Sequence, residues 1–138
     1  MTGHKDLYRR HIGALVIKDG EALDRALDQV LAADFVAHDL PGGLVDGCGT
    51  LKTFRRPVHL GFPDQTLTIE DLIADEDRVA ARLTAVGTHL GEFRGIPATG
   101  RRITTEIFDI VRVADEKIAE RWTIFDRGGL LLELQQRR

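Results

Sequence analysis

The first third of the chain carries apolar residues at helical spacing. Apolar positions at 7, 12, 15 and 16 predict a helix over residues 5–17. In residues 18–35 apolar side chains recur every three or four positions, and Asp19 stands where a capping side chain is needed. This pattern predicts a second amphipathic helix.

The segment that follows is broken by proline. A short strand is expected at residues 35–40, ended by Pro41 and two glycines. Residues 50–61 have the pattern of a third helix, which Pro57 should kink or break because proline lacks the backbone N–H.

Beyond position 63 the pattern changes to the alternation typical of strands. Two strands are expected at 66–74 and 78–91, followed by the loop "RGIPATG" and a hairpin of two strands at 101–114 and 117–126. The apolar segment 130–136, after two glycines, is predicted to be helical.

Helices first and a mostly antiparallel sheet second indicate an α+β fold in one domain, residues 1–138. A long antiparallel sheet that curves around helices forms a cone with one concave face. A concave apolar face beside a helical layer is a natural pocket for a small molecule.

Composition excludes several classes of function. The net charge of −3 and the scattered arginine doublets give no reason to expect nucleic acid. Cys48 is the single cysteine, so no internal disulfide is expected, and a reducing cytoplasm fits. No stretch is apolar enough for a membrane span, and the first residues lack a signal-peptide core. We therefore expect a soluble, cytoplasmic protein with no membrane association, acting on a small molecule.

Known cofactor motifs are absent from the sequence. It contains no GxGxxG after a strand, no phosphate-binding loop, no GxSxG and no histidine or cysteine cluster with metal-ligand spacing. We therefore expect no cofactor and no metal.

Asp126 is the first candidate catalytic residue. Alternation along the last strand puts Trp122, Ile124 and Asp126 on one face. If that face is the inner one, Asp126 is a carboxyl group in apolar surroundings, suited to taking and returning a proton near neutral pH. Alternatively, Asp126 caps the C-terminal helix across Gly128 and Gly129, or pairs with an arginine.

Asp109 is the second anomaly, an acid in mid-strand among apolar residues. A buried carboxylate needs a partner. A salt bridge to Arg82 or Arg112 is the interpretation we favour slightly, and a polar wall of the pocket is the alternative.

Among the histidines, His38 is the best catalytic candidate and His59 the second, each as a donor to a developing oxyanion, although either is more often a structural residue. His4 and His11, in the first helix, are expected to be exposed to solvent.

Several motifs together resemble one family. The stretch "GTHLGEFRGIPATGR", the segment "IFDIVRVADEKIAERW", the pair of Trp122 with Asp126 and the final "GLLLEL" resemble the SnoaL-like polyketide cyclases, or ester cyclases, of the nuclear-transport-factor-2-like superfamily. The "HDLP" of 38–41 and "FPD" of 62–64 also match. The resemblance runs from about residue 35 to 135.

This resemblance implies a cone-shaped α+β barrel, assembled as a homodimer or homotetramer, with a deep apolar cavity and no cofactor. It implies that Asp126 is the acid/base, that Asp109 lines the cavity, and that His38 matches a family histidine. The residues expected to contact an apolar or aromatic substrate are Phe35, His59, Phe62, Leu83, Ile107 and Trp122.

The sequence departs from the family pattern at four positions. Arg121 stands where many members of the family have a histidine before the tryptophan, and Leu83 stands where many have a tryptophan. Glu116 and Ile107 each stand where a glycine is usual. Arg121 and Ile107 change the polarity and shape expected for the pocket.

The leading hypothesis is a cofactor-independent enzyme of aromatic polyketide biosynthesis. Asp126 would take a proton from a carbon beside a carbonyl, and that carbon would close a ring by an aldol-type attack within a polyketide ester. One alternative is cofactor-independent hydroxylation of an aromatic polyketide in the same pocket. Another is a small-molecule binding protein with no catalysis.

Overall fold

The computed structural model describes residues 3–38 and 47–135, which form an α+β domain. In chain order the elements are α1 (His4–Leu15), α2 (Gly20–Val30), β1 (Leu31–Ala37), α3 (Gly47–Gly61), β2 (Thr66–Asp75), β3 (Arg78–Thr88), β4 (Arg102–Ala114), β5 (Lys117–Phe125) and α4 (Arg127–Gln135). In this part of the chain no helix is both long and apolar enough to cross a membrane.

The first two helices confirm the periodicity of the sequence. Asp19 caps α2, because its Oδ2 accepts a hydrogen bond from the Ala22 N–H at 2.9 Å. The apolar stripe of α2, formed by Leu23, Leu27 and Val30, is buried against the sheet.

Two boundaries differ from the prediction. β1 begins at Leu31, directly after α2, because Leu31 pairs in parallel with Ile118 of β5 and this tertiary contact overrides the local helical pattern. α3 continues through Pro57, so the expected break there is wrong. The predicted strand end at Pro41 lies outside the described residues.

The five strands form one mixed sheet in the order β1-β5-β4-β3-β2, which is not closed into a barrel. Only β1 and β5 pair in parallel, and the other neighbours are antiparallel. The main core lies between the concave face of this sheet and the helices α1 to α3. A second, smaller cluster includes Phe62, Phe93 and Leu134, the last from α4.

A bulge in β5 decides which side chains face inward. The hairpin starts with Ala114 opposite Lys117, and a regular ladder from that pair would place Asp109 opposite Trp122. The register shifts by one residue next to Arg112, so that Asp109 pairs with Thr123 instead. The predicted inner face of β5 is therefore wrong: Ile124 is 75% exposed, and Thr123 faces the interior with Asp109.

Candidate functional site

A cavity of about 230 Å³ opens between α3, the concave face of the sheet and α4. Most of its wall is apolar, but arginine and threonine side chains interrupt it. The lining includes Leu51, Phe54, Arg55, Val58, Phe62, Gln65, Phe93, Arg94, Ile103, Thr105, Ile107, Arg121, Thr123, Phe125, Arg127, Leu130 and Leu131. None of the lining residues that the structure describes is an aspartate or a glutamate.

Asp109 lies immediately behind the cavity wall. The residue is 2% exposed, and its carboxylate accepts two short hydrogen bonds, each of 2.6 Å, from the Tyr8 hydroxyl and from Thr123 Oγ1. Burial of a carboxylate is tolerated when its oxygens are hydrogen-bonded in this way. Thr123 itself lines the cavity, so the hydrogen-bond partner of the buried acid is a cavity residue.

Arg121 supplies the positive charge next to this acid. Its Nη2 lies 3.7 Å from Asp109 Oδ1, and the residue is 8% exposed. Within the described residues its Nε has no hydrogen-bond partner. Asp109 therefore pairs with Arg121, and the prediction that it pairs with Arg82 or Arg112 is wrong. At the outside of the sheet, Arg82 binds Asp71 and Glu106 instead. Arg112 binds Glu120.

Two residues of α1 complete the polar cluster. Burial and the Asp109 carboxylate raise the pKa of Tyr8, so its phenol stays protonated and donates to Asp109. His11 has no exposed surface, which makes the expectation of a solvent-exposed His11 wrong. Burial, together with the charges of Arg121 and Arg55, lowers the pKa of His11 to about 3.

Arg55 reaches the cavity from α3. Its Nε donates to the Leu15 carbonyl at 3.1 Å and its Nη2 to Gln65 Oε1 at 2.6 Å, so the guanidinium is fixed by neutral partners. Burial, with Arg121 nearby, lowers the pKa of Arg55 to about 9. His59 donates from Nε2 to the same Leu15 carbonyl at 2.8 Å, and burial lowers its pKa.

Asp126 lies outside this cavity, so the prediction that it points into the pocket is wrong. It is exposed, and its Oδ1 accepts from the Gly129 N–H at 2.8 Å, which caps the start of α4. Asp126 borders an adjoining, more open groove of about 540 Å³ along β4 and α4, which shares Ile103, Thr105, Phe125 and Leu130 with the cavity. The capping alternative is therefore confirmed.

His38 and Trp122 also lie on the outer face of the sheet, because the bulge turns Trp122 away from Asp109. Their rings stack with centroids 4.6 Å apart, and Arg78 covers the Trp122 ring at 5.1 Å. His38 Nε2 is 3.0 Å from Glu120 Oε1. Neither residue is among those that line the cavity.

Of the other predicted contact residues, Phe62 and Ile107 line the cavity. Phe35 and Leu83 belong to the main core instead. His59 is not among the residues that line the cavity; its Nε2 lies 3.4 Å from Nη2 of the cavity residue Arg55. Whether Phe62 and Ile107 bind substrate stays a prediction.

Sequence reasoning missed Tyr8, Arg55 and Thr123 as members of the polar site. Tyr8 carries a signal that could have found it, because it falls between Leu7 and Ile12 on the apolar side of α1. Arg55 has no such signal, since a charged residue in an amphipathic helix is usually solvated. In the described part of the chain no group of three histidine, cysteine, aspartate or glutamate side chains could hold a metal ion.

A family comparison covers nearly the whole chain: residues 8–134 match the model of the SnoaL-like polyketide cyclases. Two curated relatives are aklanonic acid methyl ester cyclases, DnrD of Streptomyces peucetius and DauD of Streptomyces sp. strain C5. Each is 43% identical over 42 residues, which are 30% of this chain. The matched segment spans only 29% and 26% of the length of those relatives.

Solved structures match over much more of the chain. TsrD from Streptomyces laurentii has a TM-score of 0.79 and 29% identity, covering 94% of this chain and 92% of its own. IdmH from Streptomyces antibioticus, a candidate polyketide cyclase, has a TM-score of 0.79 and 32% identity, with 95% and 97% covered. AclR from Streptomyces galilaeus, a candidate hydroxylase, has a TM-score of 0.71 and 27% identity, with 93% and 98% covered.

Proposed function

The chain belongs to the SnoaL-like polyketide cyclase family, and from that premise we propose that it closes a ring in a polyketide by an intramolecular aldol-type reaction without a cofactor. The observation that carries this proposal is the link from Asp109 through Thr123 to the cavity. A buried carboxylate lies 2.6 Å from the hydroxyl of a residue that lines the cavity, which offers a route along which a proton can leave and return.

In the proposed reaction Asp109 is the base and Thr123 passes the proton. The C–H bond beside a substrate carbonyl breaks, its proton goes to Thr123 Oγ1, and Thr123 gives its own proton to Asp109. The electron pair left behind forms an enolate. The enolate carbon attacks a second carbonyl of the same molecule, and the new alkoxide takes the proton back by the reverse route.

Arg121 is placed to stabilise the enolate oxygen. Arg121 lines the cavity and its guanidinium lies within 4 Å of Asp109, so a positive charge is available near the proposed base, where the negative charge would develop. A fixed cation in a site with little water stabilises an oxyanion more than water does. The apolar wall would fold the substrate so that the two reacting carbons lie close together.

Turnover by matched variants tests the assignment of the base. Asp109→Asn keeps the shape and removes the base, and Thr123→Val keeps the shape and removes the hydroxyl. We expect both to lower kcat by about 100-fold or more. Asp126→Asn is the matched control and should retain nearly full turnover. The first two substrates to test are aklanonic acid methyl ester, the compound that appears in the names of the curated relatives, and the corresponding free acid.

Thermal melts must first show that each variant folds. If folded Asp109→Asn turns over normally while Asp126→Asn does not, the proposed base is wrong. If bound polyketides are recovered unchanged from the wild-type protein, a non-catalytic binding role is supported instead.

Hydroxylation is a second candidate, favoured by the similarity to AclR. The same proton removal would give a carbanion that reacts with dioxygen and gains oxygen from it. Reaction under ¹⁸O₂ separates the two, because ring closure leaves the product unlabelled and hydroxylation labels it.

We also propose that the protein assembles as a homodimer through the outer face of its sheet. Phe108 and Ile124 are cross-strand partners on that face and are 52% and 75% exposed, and Ile110 beside Trp122 extends the same apolar surface. Apolar surface of this kind on one sheet face supports an interface between copies.

A further inference from the structure

We propose that the ligand of this cavity carries a carboxylate, and that Arg55 is the residue that binds it. The inference names the substrate class of the proposed function and rests on the same cavity. It implies a free acid, whereas the names of the curated relatives specify a methyl ester.

The first argument is the balance of charge around the cavity. Arg55 and Arg121 both line it and both are more than nine-tenths buried, at 7% and 8% exposure. Asp109 is the one carboxylate within 4 Å of either guanidinium among the described residues. His11 is neutral near pH 7, so the buried group of Arg55, Arg121 and Asp109 carries an excess of one positive charge. Two further arginines, Arg94 and Arg127, also line the cavity, and no aspartate or glutamate does among the described residues.

The second argument is the difference between the two arginines. Arg121 has Asp109 as its counter-ion, but the partners of Arg55 carry no negative charge: they are the Leu15 carbonyl, the Gln65 side chain and, at 3.4 Å from Nη2, His59 Nε2. A buried cation without a counter-ion is unfavourable in the empty protein. A ligand carboxylate next to Arg55 would remove that penalty and would itself be desolvated by the apolar wall.

The third argument is geometry. The hydrogen bonds of Arg55 use its Nε and Nη2, and no bond to a described residue uses its Nη1. Gln65 and Leu15 therefore hold the guanidinium plane fixed, and Nη1 of this cavity-lining residue is left for a ligand. Such a fixed arginine binds a carboxylate oxygen with little loss of side-chain entropy.

Cavity size sets the scale of a probe that fits within the cavity alone. The volume of about 230 Å³ lies below the roughly 300–1,000 Å³ usual for pockets that hold drug-sized ligands. A compact acid of two fused rings is therefore a suitable probe, and 2-naphthoate with methyl 2-naphthoate forms a pair that differs in the charged group alone.

The experiment is calorimetric titration of the full chain with this pair at pH 7.5, where Arg55 is protonated and 2-naphthoate is ionised. We expect the wild-type protein to bind the acid at least tenfold more tightly than the ester. In Arg55→Gln the affinity for the acid should fall at least tenfold, while the affinity for the ester changes less than threefold. Arg78→Gln, on the outer face over Trp122, is the matched control and should bind like the wild type.

The wild-type comparison is decisive even if Arg55→Gln does not fold. Equal or tighter binding of the ester overturns the inference, and so does a preference for the acid that survives in folded Arg55→Gln. A preference that is lost in Arg55→Gln and partly kept in Arg55→Lys supports it. These titrations measure binding and not turnover. They can therefore refute the carboxylate ligand while the variants of Asp109 support the proposed base, and the turnover assays can refute the base while the titrations support the carboxylate ligand.

Discussion

The buried histidine of α1 leads to a sharp prediction about stability and pH. His11 has no exposed surface, its two ring nitrogens have no partner among the described residues, and its pKa is about 3 in the folded protein. An unfolded chain returns this histidine to an ordinary pKa of about 6.5. Below pH 6.5 the unfolded state therefore binds a proton at His11 that the folded state does not bind, and the free energy of unfolding decreases as the pH falls.

The magnitude follows from the difference between the two pKa values. Each pH unit between about 6.5 and 3 removes about 1.4 kcal/mol, so lowering the pH from 7.5 to 4.5 should remove about 2–3 kcal/mol through His11 alone. Burial also lowers the pKa of His59, and a hydrogen bond from Arg112 lowers that of Glu120. His59 and Glu120 therefore also lower the stability of the fold at acid pH, so a variant is needed to isolate the contribution of His11.

His11→Phe removes the titrating group and keeps an aromatic ring. Urea unfolding at pH 7.5, 6.5, 5.5 and 4.5, followed by circular dichroism, gives the free energy of unfolding at each pH. We expect similar stabilities at pH 7.5 and a variant about 2–3 kcal/mol more stable than the wild type at pH 4.5. His4→Gln, a less buried position of the same helix, should follow the wild type. Parallel loss of stability in wild type and His11→Phe would refute the reasoning.

Three further predictions test the packing, the cap and the surface. Gly91→Ala should lower the free energy of unfolding in urea by about 2 kcal/mol or more, because the new Cβ would lie 2.1 Å from the Leu60 carbonyl oxygen. Gly13→Ala, where the new Cβ has open space, is the control and should raise it by about 0.5–1 kcal/mol, since alanine favours helix α1. Asp126→Ala should cost about 0.5–2 kcal/mol through loss of the α4 cap and leave turnover unchanged, and a large loss of turnover would contradict our assignment. Ile124→Glu should shift the protein toward a monomer in sedimentation equilibrium, and a wild type that is already monomeric would exclude the proposed interface.

Much of the fold was predictable from local pattern. The two N-terminal helices, the four antiparallel strands and the final helix follow from spacing and alternation, and the α+β class follows from their order. The start of β1 was not predictable, because the parallel pairing of Leu31 with Ile118 is a contact between residues far apart in sequence. The passage of α3 through Pro57 also has no local signal.

The candidate site was predicted only in part. The register shift next to Arg112, in the pairing of β4 with β5, explains most of the difference between the predicted and the observed site. The bulge next to Arg112 moves every later side chain of β5 to the opposite face, so Thr123 replaces Trp122 as the neighbour of Asp109. Alternation alone gives two faces and does not say which is buried. Asp109 was recognisable as an acid in an apolar strand, but its partners come from α1 and β5 and required the tertiary structure.

The most direct test of the central claim is exchange of substrate carbon-bound hydrogen in deuterium oxide, which detects proton removal whether or not a ring closes. With a bound polyketide that has hydrogens beside a ketone, the wild-type protein should catalyse exchange above the buffer rate, and Asp126→Asn should do the same. Asp109→Asn should reduce exchange to the buffer rate. Exchange that persists in folded Asp109→Asn, or that disappears in Asp126→Asn, would contradict the account.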